Sequence, residues 1–167
     1  MVRLRPFRRQ DAEKLLPWLR DERVMAMWCS GIFSYPLTAE QLIRRMEQSE
    51  EKTDEWVMAC VDELGVVIGH LYMWGNFQED RVHLGLIVVD DTRRGQGLGR
   101  RMVEKAVTYA FEIAGVSRVT LGVFDCNPQA YACYQKAGFT LDFIEEHAME
   151  YQGEIWNRIH MVRTRED

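Results

Sequence analysis

Apolar and polar positions along the chain change period several times, and each change marks an element. Residues 2–8 alternate and predict an edge strand. Asp11 stands at the N-cap position of a short helix that buries Leu15, Leu16 and Leu19 and that Pro17 bends or ends. A second helical piece covers residues 21–28, and residues 29–37, with Gly31, Phe33, Tyr35 and Pro36, read as an aromatic loop. Thr38 caps a helix over Ala39–Glu50, with Leu42, Ile43 and Met46 on its apolar face. Strands over Glu55–Val61 and residues 66–74 are joined by the hairpin signal Asp62-Glu63-Leu64-Gly65. A turn at residues 76–80 leads into a strand over Arg81–Val89.

The most regular stripe follows. Leu98, Met102, Val103, Ala106, Val107, Ala110, Phe111 and Ala114 recur at three and four, and Gly115 supplies the stop. Residues 118–125 alternate again, and Asn127-Pro128 gives an N-cap followed by proline at the first helical position of a helix ending at Gly138. Strands over residues 139–149 and 154–163 turn through Gly153. A βαβ crossover from Val89 to Val119 forces a parallel pair into an otherwise antiparallel sheet. The fold class is therefore α+β, a mixed α/β arrangement with a central sheet of about seven strands and about four flanking helices.

With 167 residues and no repeat or linker, the chain reads as one domain over 1–167. The net charge of −5 argues against a nucleic-acid surface and suits a cationic partner such as an amine. Four cysteines show neither Cys-x-x-Cys spacing nor nearby histidines, so neither zinc nor a disulfide framework is indicated. The charged N-terminus lacks a signal-peptide core and no apolar run is long enough to span a bilayer; the expectation is a cytoplasmic protein with no membrane partner.

The candidate chemistry lies where the strand over Arg81–Val89 runs into two acids, two arginines and three alternating glycines, and a helix begins at once. Glycines let a ligand approach the backbone, and a helix start offers unpaired N–H groups and partial positive charge. With Arg93, Arg94, Arg100 and Arg101 nearby, this is a phosphate-anion site. No Gly-Lys-Ser/Thr follows, which disfavours a nucleotide-hydrolysing loop.

Two motifs in order, Arg94-Gly95-Gln96-Gly97-Leu98-Gly99 and then Asn127-Pro128-Gln129-Ala130 with Tyr134 and Gly138-Phe139, make the chain resemble the GNAT family of acyl-CoA-dependent N-acyltransferases. The ends, Arg-Pro-Phe near the start and Gly153-Glu154-Ile155-Trp156-Asn157-Arg158, look like the branch of ribosomal-protein N-terminal and small-molecule N-acetyltransferases. The resemblance implies the GNAT fold with its parallel pair splayed, acetyl-CoA as cofactor and coenzyme A as product. It implies a diphosphate on the backbone from Arg94 through Gly95, Gln96, Gly97 and Leu98 to Gly99, with Arg100 and Asn127 as further contacts, and pantetheine along Ile87, Val88 and Val89.

It further implies that Tyr134 protonates the leaving thiolate. His83 becomes the base candidate, with a water chain to Asp80 or Glu79 as the alternative, because the family's other base position is occupied by Gly122. Trp28, Tyr35 and Trp74, with Phe33, are candidate walls of an acceptor pocket, and His70, His147 and His160 are assigned to structure. The implied reaction is direct attack of a primary amine on the thioester in a ternary complex. The acceptor is a small-molecule amine or a protein N-terminus. A non-catalytic acyl-CoA-binding module is the rival, since it needs neither His83 nor Tyr134. Exposed sheet edges suggest a homodimer.

Overall fold

In the computed structural model, which describes residues 1–166, seven strands form one sheet. They are β1 (Arg3–Pro6), β2 (Glu55–Val61), β3 (Val67–Asn76), β4 (Arg81–Val89), β5 (Arg118–Phe124), β6 (Thr140–Tyr151) and β7 (Glu154–Thr164). Their order is β1-β2-β3-β4-β5-β7-β6, and β4 with β5 is the parallel pair. Five α-helices accompany them, where the sequence predicts about four: α1 (Ala12–Leu15), α2 (Glu22–Cys29), α3 (Ala39–Glu50), α4 (Leu98–Tyr109) and α5 (Pro128–Lys136).

The two faces of the sheet carry separate cores. On one, the α4 stripe buries Met102, Val103, Ala106 and Val107 against Leu71, Val82, Leu84 and Leu121, together with Tyr134 and Phe139 from and after α5. Each such large side chain stabilises the fold by about 1.5–3 kcal/mol. The apolar run beyond Tyr109 widens into a π turn over Ala110–Ala114 before Gly115, at φ 75°, ends it. On the opposite face, α1, the 3-10 turn that follows it and α3 pack Leu15, Leu19, Leu42 and Met46 against Ala59 and Phe7. No helix among the described residues is long and apolar enough to cross a membrane.

Two features position the site. First, β4 and β5 pair only from Arg81↔Arg118 to Leu84↔Leu121, although β4 runs on to Val89 and β5 to Phe124. Second, β4 carries an extra residue against β3: His70 faces Val88 and Tyr72 faces Gly85, so Leu71 meets both Leu86 and Ile87. Leu86 sits in this bulge at φ +49°, a left-handed conformation that costs an L residue about 1–2 kcal/mol.

Asp11 is not the helix cap that its position predicts. Its backbone is already helical and its side chain does not cap α1; instead it accepts from Arg5 Nη1 (2.6 Å), Arg5 Nη2 (2.9 Å) and the Arg8 amide (2.8 Å), the last closing the short turn over Arg9–Asp11. A buried carboxylate gains more from a two-pronged guanidinium than from one amide. Burial alone would raise its pKa, but the Arg5 and Arg8 hydrogen bonds outweigh that and hold it below the usual range. Asp11→Ala leaves the Arg5 charge half-buried and alone, and is expected to lower unfolding free energy by about 3 kcal/mol in urea titration.

Candidate active site

The parting of β4 from β5 leaves main-chain groups of β4 without a strand partner. Asp90 N–H donates to Ile68 O at 2.9 Å, toward β3. Because successive residues of a strand alternate in direction, the N–H and C=O of Val89 and Ile87 face the other way, into the opening. Their side chains pack on the α4 face, while Val88 packs on the α1–α3 face.

At the mouth of this opening each strand has a glycine. A Cβ on Gly85 would lie 2.5 Å from Trp74 Cζ3, and one on Gly122 would lie 2.9 Å from Arg158 Cδ. The Trp74 indole and the Arg158 stem therefore lie flat across the two lips. Sequence reasoning treats Gly122 only as a missing carboxylate; the structure gives it a positive role, as the floor under Arg158. Arg158 also bonds Ser30 Oγ at 2.7 Å and Glu145 Oε2 at 3.2 Å, and that carboxylate bonds His160 Nε2 at 2.9 Å. A charge network of residues from α2's end, β6 and β7 has no local sequence signal.

His83 lies on the lip facing α2, opposite to Val82 and Leu84, which point into the α4 core. Its Nδ1 is hydrogen-bonded with Thr120 Oγ1 at 2.9 Å, and its ring tilts against Trp74 with centroids 5.9 Å apart. Burial, reinforced by Arg81, His160 and Arg158, lowers its pKa to about 4. Tyr134 lies on the other face, in the cluster that holds Leu98 and Val123 and that Ile87 and Val89 pack against. Burial pushes its phenol well above the ordinary range. The two candidate proton-handling groups thus flank the opening from opposite faces of the sheet.

The aromatic walls divide. Trp74 stands at the opening, stacked on Tyr72 at 4.4 Å. Trp28 stacks on Phe33 at 5.5 Å and packs against the buried group Met25, Cys29, Tyr72 and Leu86 behind it. Tyr35 lies apart on the surface, its hydroxyl donating to Arg20 O at 3.0 Å. Asp80 accepts from Ser117 N and Oγ, and Glu79 pairs with Arg81, so both alternatives to His83 are already engaged.

Beyond Val89 the chain turns through Asp90, whose side chain accepts from Thr92 N, and reaches Gly95 and Gly97 at φ 78° and 69°. A Cβ at either would meet no protein atom within 4 Å, so the loop borders open space. The first intrahelical bond of α4 is Arg101 N to Gly97 O at 3.1 Å, which leaves the Leu98, Gly99 and Arg100 amides free at the helix start. Arg93 is tied to Asp62 at 2.9 Å, Arg100 to Glu104 at 2.7 Å, and Arg101 to Gln96 O at 3.0 Å. Asn127 Oδ1 accepts from Ala130 N at 3.2 Å, the cap its position predicts. These residues fit a diphosphate: glycine-lined space, converging amides and a positive helix end.

A parted parallel pair beside a helix start with free amides is the arrangement that the resemblance to the acyl-CoA-dependent transferases implies. The sequence profile of the Acetyltransferase (GNAT) family matches residues 13–139, and the chain belongs to that family. It is 25% identical to the spermidine N(1)-acetyltransferase of Escherichia coli (strain K12), over 96% of this chain and 84% of that protein. It is also 25% identical to an aminoglycoside N(6')-acetyltransferase type 1 of Klebsiella pneumoniae, over 99% and 84%. The spermidine N-acetyltransferase from Vibrio cholerae, solved in complex with CoA and spermine, shares the fold with a TM-score of 0.84 at 18% identity, covering 98% of this chain and 95% of that one. The protein is an acetyl-CoA-dependent N-acetyltransferase acting on a primary amine.

Unfolded histidines titrate near 6.5, whereas His83 and His70 are each lowered to about 4 in the fold. The unfolded chain takes up protons first, so stability falls as pH drops from about 6.5 to about 4; denaturant midpoints across that range should show a smaller decline in His83→Gln. Gly97→Val, strained at its φ of 69° and filling the open space the loop borders, is expected to weaken coenzyme A binding at least about ten-fold by calorimetry.

Proposed function

We propose that the acceptor is a small molecule with more than one amine, of the polyamine kind, attacking the thioester directly in a ternary complex on the one domain formed by residues 1–167. The observation that carries this reading is the opening between β4 and β5, bordered by the glycine loop at one end and by His83 at its lip. Trp74 and Arg158 lie over the glycines of the two lips, which suits a slender chain. The net charge of −5 favours a cationic acceptor, and the named relatives act on spermidine or an aminoglycoside.

Acetyl-CoA, when bound, supplies an activated acetyl carbonyl and a thiolate leaving group. Backbone amides of Gly95 to Gly99 hold its diphosphate end, with Arg94 alongside, and Asn127 caps the neighbouring helix. Val89 N–H points into the opening and polarises the carbonyl oxygen there. His83 stays neutral across ordinary pH because its pKa is near 4; it is a weak base, so its lone pair aligns the amine while water takes the proton. Tyr134 stays protonated and donates to the thiolate from the opposite face. The free β6 edge, exposing Leu141, Phe143 and Ile144, supports pairing of two copies.

A thiol-release screen over spermidine, spermine, aminoglycosides and short peptides tests this. Acceptor-dependent release is expected with the polyamines and not with peptide N-termini; binding of coenzyme A without release for any amine would identify a non-catalytic module instead. Tyr134→Phe is expected to lower kcat by at least about ten-fold with little change in acetyl-CoA affinity. Unchanged turnover removes Tyr134 from the mechanism.

A further inference from the structure

We propose that His70 is a positioning residue whose ring N–H holds the β4 bulge in the shape that turns the main chain of Ile87 and Val89 into the opening. His70 lies on β3 and is 2% exposed. Its Nδ1 is 3.0 Å from the Leu86 carbonyl oxygen, and since a carbonyl only accepts, Nδ1 carries the proton. Leu86 is the bulge residue, at φ +49°. Bulging disrupts the regular ladder with β3, so the fold must satisfy this carbonyl by other means, and a side chain does so.

The surroundings make a histidine informative. Phe7 meets the ring edge-on at 5.0 Å and Trp28 at 6.2 Å, so the imidazole cannot swing away from the carbonyl. Ala59, opposite it on β2, and the cluster around Phe7 are apolar, with the buried Asp11 carboxylate within electrostatic reach. A leucine would fill such a space without the desolvation that a ring nitrogen suffers. What leucine lacks is the donor. Burial also keeps the ring neutral, with a pKa lowered to about 4, so the single N–H stays aimed at Leu86 across the working pH range. Val88, paired with His70 in the β3–β4 register, links this bond to the segment facing the thioester.

The inference rests on the acetyl transfer proposed at that opening, and its test separates the two. His70→Leu, His70→Asn and His70→Gln are compared for coenzyme A affinity, for kcat of amine-dependent thiol release, and for amide hydrogen exchange at residues 86–89. Asn places an amide N–H where Nδ1 stands, whereas Gln carries it one bond too far. The leucine and glutamine variants are expected to lose at least about ten-fold in kcat, with coenzyme A affinity within about three-fold of wild type and faster exchange at residues 86–89. Asn is expected to recover most of both. Equal turnover and exchange in all variants overturns the proposal, as does Asn impaired as badly as Gln, which would mean packing alone. Should the leucine variant not fold, the Asn–Gln contrast still decides. Wild type without thiol release for any amine defeats the transferase reading, while the exchange comparison still decides the role of His70.

Discussion

The structure depends on a hydrogen-bonded ladder that stops. Parallel strands normally stay paired as far as both extend, because each unpaired N–H and C=O costs free energy when water is excluded. Here the β4–β5 ladder ends at Leu84↔Leu121, with five residues of β4 and three of β5 still to run. What keeps the two apart is local and identifiable. The bulge at Leu86 turns β4 away, and the side chains of Trp74 and Arg158 lie across Gly85 and Gly122 where cross-strand neighbours would otherwise meet. A gap held by strain and by flat side chains is a ready partner for a ligand that brings its own amides.

From that gap the division of labour follows. β4 buries Val82, Leu84 and Leu86, is half-buried from Ile87 to Val89 and leads straight into the glycine loop, so a bound chain lying along it ends at the free amides of α4. The sheet itself separates the two candidate proton-handling groups. His83 faces α2 with Trp74 and Thr120, whereas Tyr134 on α5 belongs to the cluster on the other face against which Ile87 and Val89 pack. In the proposed mechanism the amine approaches from the His83 side and the thiol departs on the Tyr134 side. Burial tunes both groups in the same sense. It disfavours charge, leaving a neutral imidazole and a protonated phenol at neutral pH.

Much of this was legible in the residues. The α4 stripe, the Asp62–Gly65 hairpin, Thr38 and Asn127 as caps and the parallel crossover all rest on short-range periodicity and turn chemistry, which sequence carries directly. The glycine loop was legible for the same reason. What escaped depends on partners distant in sequence. Asp11 looks like a cap until Arg5 folds back onto it. His70 looks like one more core residue until Leu86, sixteen positions on, adopts a left-handed backbone that no local pattern announces. Arg158 and Gly122 become a pair only once β7 lies beside β5. Tyr35 shows the same dependence: its place at the surface, with the hydroxyl donating to Arg20 O, is set by a residue fifteen positions away.

A crystal structure of the protein with coenzyme A tests the central claim most directly. The expected result places the diphosphate on the amides from Gly95 to Gly99 and the pantetheine arm between the parted ends of β4 and β5, bonded to the main chain of Val89 and Ile87. Coenzyme A lodged elsewhere, such as the hollow lined by Asp125, Cys126 and Trp156, with β4 and β5 untouched, would contradict it.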